Sequence, residues 1–184
     1  MDSLPETFRK IISFLEEEKF DYLVIGELAS ATLGEPRMTQ DVDICLFIKK
    51  LEVKEFLLKL KQEGFSFDEK GMIKRAKERG TFQVFYGNFH IDFIILSTDF
   101  EKSALKRKQK IKLYGIEASF PTPEDLILFK IVPARLMDMM DIENIVIRHS
   151  GKLDEKYLLS WAQKLSDEAE DIRIYNEIKR LLNL

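Results

Sequence analysis

The sequence holds one cysteine, Cys45, and two histidines in 184 residues. That excludes an internal disulfide and a multi-cysteine zinc site, and it leaves a cysteine-protease reading without support. No apolar run approaches the roughly 18 residues that a membrane span needs. The opening residues, Met1-Asp2-Ser3-Leu4-Pro5-Glu6, have neither the basic start nor the apolar stretch of a secretory signal. The expectation is a soluble protein of the reducing cytoplasm with no membrane partner. An excess of positive charge is also missing. The 29 Lys and Arg against 32 Asp and Glu leave a net −3, which excludes a protein that coats DNA. Glutamine and asparagine are scarce while 33% of residues are charged, a balance found in heat-adapted proteins. The expectation of a thermophile concerns habitat, not chemistry.

Flexible linkers, repeats and low-complexity tracts are absent as well. What is present, 45% hydrophobic and 11% aromatic residues, is enough for a packed core of one domain, or of one domain with a small helical appendage. Charge is uneven: residues 122–184 hold 12 acids and 9 bases and so carry the whole deficit, while residues 1–121 are balanced.

Hydrophobic periodicity supplies a coarse map. Helical spacing of Phe8, Ile11, Ile12 and Leu15 predicts a helix over 7–19, and the apolar run 22–25 predicts a strand ending at Gly26. A short helix over 28–33, closed by Gly34 and Pro36, precedes a β-rich stretch at 41–48 and an amphipathic helix at 53–60. Residues 81–96 read as a hairpin turning at Gly87-Asn88. A single weak strand is expected over 111–119. Thr122-Pro123-Glu124-Asp125 is a helix start: a hydroxyl cap, a first-turn proline and two acids facing the dipole. Helix continues from there, with breaks near Pro133, at Gly151 and around Ser166. The expected class is α/β (α+β), with the mixed elements over 1–120 and a helical C-terminal segment over 121–184.

Asp41 and Asp43 flank Val42 in the β-rich stretch. A spacing of two sets both carboxylates on one face of a strand, with Val42, Ile44, Leu46 and Ile48 on the other. Two carboxylates that close repel unless a divalent cation or a shared proton lies between them. Magnesium suits such oxygens, taking one or two carboxylates and completing its shell with phosphate oxygens and water. With 13 aspartates in the chain, chance alone supplies about one such pair, so the surroundings decide. The junction of strand, Gly26 and helix aims backbone N–H groups outward, toward an anionic phosphate. Arg37 and Thr39 add a cation and a hydroxyl before the aspartates. Asp92 lies within the apolar strand Ile91-Asp92-Phe93-Ile94-Ile95, where an unpaired buried carboxylate is costly. Its place is the strand's wet end or beside an ion.

The stretch Val24 to Ile48, with Gly26, the spacer and Asp41-x-Asp43 between apolar residues, resembles the signature of the nucleotidyltransferase (DNA polymerase β-like) superfamily. Arg37-x-Thr39-x-Asp41-x-Asp43 is similar to a small group related to AbiEii-type abortive-infection toxins. The tail agrees: Pro123-Glu124-Asp125-Leu126, then Lys130, Ala134, Arg135, Asp138 and Asp141, is similar to that group's helical segment. The resemblance implies a nucleotidyltransferase fold, a mixed sheet flanked by helices with the C-terminal helices packed on it, and transfer of NMP from an NTP (EC 2.7.7 type), with Asp41, Asp43 and Asp92 as catalytic and metal-holding residues for two Mg2+ ions. It implies Gly26, Glu27, Ser30, Arg37, Thr39 and Lys130 as the nucleotide's contacts. The acceptor it implies is an RNA such as a tRNA 3′ end, a protein hydroxyl or a small molecule, and a toxin role would bring an antitoxin partner. One departure stands out. Glu27 occupies the family's second small position; it turns away, binds a second ion, or marks a catalytically silent fold that binds nucleotide or a partner.

Other charged residues have plain structural readings beside functional ones. On a continuous helix, which Pro133 would kink, Lys130, Ala134, Asp138 and Asp141 would share a face, either with Lys130 meeting triphosphate and Asp138 or Asp141 orienting Arg135, or as an intrahelical salt-bridge network. The basic run Lys102, Lys106, Arg107, Lys108, Lys110 and Lys112 reads as a solvated helix face and an edge strand before it reads as an RNA guide. His90 shares a face with Asp92. Trp161 and Tyr157 read as packing.

Overall fold

A computed structural model describes residues 3–36 and 38–183. They form two compact units. The first runs to Leu28 and resumes from Met38 to Phe120; the second takes the stretch from Ala29 to the loop before Met38, with Pro121 onward. The chain thus changes unit after Phe120, and residues 29–37 group with the C-terminal helices.

The first unit opens with α1 (Leu4–Glu17), which starts one turn before the expected helix. Ser3 caps it by accepting the Glu6 N–H at 3.3 Å, and Pro5 supplies the preset first turn. Then come β1 (Tyr22–Ile25), the first turn of α2 (Gly26–Leu33), β2 (Val42–Leu46) and α3 (Val53–Gln62). They are followed by α4 (Glu69–Arg79), β3 (Thr81–Tyr86), β4 (Phe89–Ile95), α5 (Asp99–Lys106), β5 (Gln109–Leu113) and β6 (Ile116–Phe120). The four-stranded sheet has the order β1-β2-β4-β3 and is mixed: β1 and β3 run antiparallel to their neighbours, while β2 and β4 are parallel.

One face of that sheet is dry. Ile44, Phe93, Ile91, Phe82 and Val84 are fully buried, and Phe56 of α3 sits edge-on to Phe82 and Phe93 at 5.8 and 5.4 Å. Phe82 and Phe93 stack at 4.8 Å across the hairpin. Such ring pairs add about 0.5–1.5 kcal/mol each beyond their buried area. The strand expected over 111–119 is two strands, β5 and β6, which turn at Tyr114-Gly115, both at positive φ (50° and 88°). The charged, half-exposed β5 hid the hairpin from a reading by hydrophobic pattern. Tyr22 ties this hairpin to the core: its hydroxyl donates to Glu16 at 2.6 Å and accepts the Ser119 N–H at 3.2 Å. Burial and the Glu16 carboxylate push the Tyr22 hydroxyl well above its ordinary range. α4 has no counterpart among the expected elements, because it buries only Ala76 and shows little apolar stripe.

The second unit is helical: the rest of α2, then α6 (Pro123–Ile131), α7 (Leu136–Arg148), α8 (Glu155–Ala169) and α9 (Ile172–Leu181). Thr122 caps α6 as its sequence dictates, accepting the Asp125 N–H at 3.2 Å. The break expected around Ser166 falls at Glu170-Asp171, and Ser166 closes it by donating to the Asp171 carbonyl at 2.8 Å. The break expected near Pro133 is present, so no continuous helix runs through Lys130 and Asp141. Residues 132–135 separate α6 from α7 around Pro133, with Ala134 at φ 44°. Lys130 still meets Asp138 at 3.2 Å and Asp141 at 2.7 Å, now from α6 to α7, so the network is interhelical. The Pro-Glu-Asp-Leu start is a similar joint: Glu124 accepts the Asp154 N–H at 3.0 Å, and Asp125 accepts the Tyr157 hydroxyl at 2.5 Å.

Candidate active site

The hairpin turn fixes which side chains meet. Two loop residues, Gly87 and Asn88, set the register Tyr86↔Phe89, Phe85↔His90 and Gln83↔Asp92. The parallel pair β2·β4 then matches Asp43 to Asp92 and Val42 to Ile91, and one step further Asp41 lies beside His90. β1 adds Ile25 opposite Asp43, so Gly26 follows at the mouth of the same row. Alternation therefore builds two short polar rows on one sheet face: Asp43, Asp92 and Gln83, then Asp41, His90 and Phe85.

Distances within the rows define the site. His90 Nε2 lies 3.0 Å from Asp41 Oδ1 and 3.5 Å from Asp92 Oδ2, with all three side chains half-exposed. Gln83 Nε2 donates to the other oxygen, Asp92 Oδ1, at 3.0 Å. At the β1 end, Gly26 has φ +67° and no room for a side chain: an added Cβ would stand 1.9 Å from Asp43 Oδ2. The glycine is thus required twice, by its left-handed backbone and by the carboxylate packed against it. α2 starts at this residue, so its first N–H groups rise beside Asp43 and carry the positive end of the helix dipole.

The remaining expected site residues fall as follows. Thr39 shapes the approach to β2: its hydroxyl accepts the Asp41 N–H at 3.3 Å and faces the Asp41 carbonyl at 3.4 Å. Glu27 is half-buried in the first turn of α2, where the dipole favours an acid. Ser30 is buried one turn further along, in the portion of α2 that belongs to the second unit. Arg37 lies outside the described residues. Lys130 belongs to the second unit and is buried between Asp138 and Asp141. Gln83 was not singled out by sequence reasoning, although a two-residue turn at Gly87-Asn88 is enough to pair it with Asp92.

The donor set can be tested against magnesium. Among the described residues, no group of three or more acidic, histidine or cysteine side chains is arranged to hold a metal ion by itself, so the protein offers no closed metal cage. It does offer hard carboxylate oxygens from adjacent parallel strands, at a glycine cradle beside a helix N-terminus. That set fits a cation that takes one or two carboxylates and fills its shell with phosphate oxygens and water. Two other grooves of the first unit, about 340 and 590 Å³, lie at the opposite end of the strands around Phe47, Ile48 and Glu52. Neither includes one of these carboxylates.

Comparison with known proteins agrees with the geometry. No curated protein matches the chain. Among solved structures, it is similar to the lincosamide antibiotic adenylyltransferase LnuA with lincomycin bound, at 14% identity and TM-score 0.54, covering 78% of this chain and 96% of that one. It is also similar to the antibiotic-resistance factor ANT(2'')-Ia, at 13% identity and TM-score 0.60, covering 90% and 93%. At such identities the likeness establishes the fold, a mixed sheet flanked by helices as expected from sequence. A family model described as nucleotidyltransferase of unknown function, DUF6036, matches residues 3–181, and the chain belongs to that nucleotidyltransferase family.

Proposed function

We propose that this protein transfers an NMP group from a magnesium-bound NTP to a hydroxyl acceptor. The observation that carries the reading is the in-register pair Asp43 and Asp92 on parallel strands, with Asp41 alongside and Gly26 packed against Asp43. Asp41 and Asp43 hold the metal–triphosphate, and the N–H groups that open α2 at Gly26 receive phosphate oxygens. Magnesium, when bound, neutralises phosphate charge and lowers the pKa of the acceptor hydroxyl. Asp92 faces the acceptor and takes its proton. The acceptor oxygen then bonds to the α-phosphorus, the bond from that phosphorus to the α–β bridging oxygen breaks, and pyrophosphate leaves. Two ions are the expected complement, one with Asp41 and Asp43 and one shared with Asp92.

Within this reading Thr39 serves the nucleotide loop through its contact with the Asp41 backbone. Lys130 serves the helix pair that buries it, because both neighbouring carboxylates already claim its ammonium. The acceptor is an RNA end, a protein hydroxyl or a small molecule. LnuA is a lincosamide antibiotic adenylyltransferase and ANT(2'')-Ia an antibiotic-resistance factor, which favours the small-molecule arm. The likeness to AbiEii-type toxins favours RNA and would add an antitoxin partner. One residue favours a silent nucleotide-binding fold instead: Glu27 brings negative charge to the phosphate loop. Against it, an abandoned site has no physical reason to keep three neighbouring carboxylates.

The test is an acceptor screen. Each of the four α-labelled NTPs is incubated with total RNA, with the protein alone and with a hydroxyl-bearing antibiotic panel. Label on one class identifies the acceptor. Nucleotide binding with no label moved, and label gained by Glu27→Gly, would assign the silence to Glu27.

A further inference from the structure

Asp92 is not an isolated carboxylate. Its two oxygens have different neighbours: Oδ1 accepts the Gln83 amide at 3.0 Å, and Oδ2 faces His90 Nε2 at 3.5 Å. The same Nε2 lies 3.0 Å from Asp41 Oδ1. One imidazole nitrogen therefore stands between an oxygen of β4 and one of the residue that leads into β2, at the point where their negative fields add. Gln83 acts from the opposite side. Its amide is anchored by the β3·β4 register, and its own backbone N–H is directed to Met72 Sδ at 3.3 Å. A carboxylate held at one oxygen keeps its plane, so the second oxygen stays facing the His90 nitrogen that also meets Asp41.

We propose that His90 holds the place of the cation between Asp41 and Asp92, and that Gln83 fixes Asp92 so that metal entry exchanges imidazole for metal at those two oxygens. This rests on the reading of the three aspartates as metal-holding residues. Both residues are positioning residues with opposite effects. His90 competes with the metal for its oxygens, and Gln83 prepares one of those oxygens for it. A purely structural role for either side chain would not give effects of opposite sign.

The experiment measures binding of Mn2+ alone to the whole protein, by the loss of the free-ion electron paramagnetic resonance signal. Native protein is compared with His90→Ala, Gln83→Leu, His90→Ala/Asp92→Asn and Asp41→Asn/Asp43→Asn, and thermal unfolding of each confirms folding. Expected are affinity about tenfold tighter in His90→Ala and about tenfold weaker in Gln83→Leu, the scale of outer-shell changes. The His90→Ala gain should vanish when Asp92→Asn is added. Unchanged affinity in His90→Ala overturns the proposal while leaving the metal site in place, provided Asp41→Asn/Asp43→Asn still abolishes binding. Weaker affinity in His90→Ala also overturns it, because His90 would then be a ligand. Mn2+ binding that survives Asp41→Asn/Asp43→Asn places the metal elsewhere and overturns both readings.

Discussion

At the scale of single residues, Gly26 and Asp43 are the most constrained pair of the site. A Gly26→Ala side chain would have to displace the Asp43 carboxylate, 1.9 Å from its Cβ, and would also hold φ at +67°. The backbone cost alone is about 1–2 kcal/mol. The larger consequence is a misplaced carboxylate, so nucleotidyl transfer should fall by about 10²-fold or more while the protein stays folded. Transfer assays beside thermal unfolding check this, and an active, well-folded Gly26→Ala protein would contradict the cradle. Cys45, on the same sheet face as Asp43, is fully buried, and burial pushes its thiol well above the ordinary range. It should react with thiol reagents at pH 8 only as fast as the protein unfolds; rapid labelling of native protein would refute that. Much at this scale was legible in the sequence: Asp41, Asp43 and Asp92 were identifiable from spacing and from their apolar frames. Gln83 went unnoticed because a lone glutamine in a strand carries no signal until the turn register is followed across.

At the scale of elements, the joints between helices rest on buried charge. Lys130 and Asp141 are almost fully buried where α6 meets α7. Removing one partner leaves the other charge uncompensated, so Lys130→Met should destabilise by about 3–5 kcal/mol in urea titration. Adding Asp138→Asn and Asp141→Leu should restore much of the loss; no restoration would show that the pairing is not the cause. The residues of this network were visible as a helical spacing, but Pro133 made the geometry ambiguous. Helix spacing cannot tell a face of one helix from two helices that meet across a turn. The hairpin β5·β6 illustrates another gap. Its inner positions are buried in β6 yet only half-buried in β5, so the alternation that marks a strand was faint where the hairpin begins. α4 lacked a signal for a related reason: a helix that buries one alanine leaves almost no stripe.

At the scale of the whole molecule, pH and activity give the broadest tests. Burial raises the Glu16 carboxyl, but hydrogen bonds from Lys110 and Tyr22 and the nearby lysine charges outweigh it and hold the group below its ordinary range. A lowered folded value means stability that is present above the unfolded carboxyl pKa, roughly 4.3, and lost as pH falls through the folded one. Glu16→Gln should therefore be less stable than native protein at pH 7, and the gap should close as Glu16 protonates in acid. Urea midpoints across pH decide it, and a gap that persists in acid would contradict the pairing. Among the described residues, no helix is long and apolar enough to cross a membrane. The β3·β4 pairing was legible from a local signal, a two-residue hairpin turn, while the mixed sheet as a whole was expected from the family resemblance. The grouping of residues 29–37 with the C-terminal helices was not legible, because a helix shared between two units has no mark of its own. The most direct measurement is magnesium-dependent release of pyrophosphate from each NTP in the presence of the acceptor panel. Native protein should release it with matching transfer of label, and Asp43→Asn should reduce both by at least about 10²-fold. Release that is indifferent to Asp43→Asn, or absent with every NTP and acceptor despite nucleotide binding, would contradict the account.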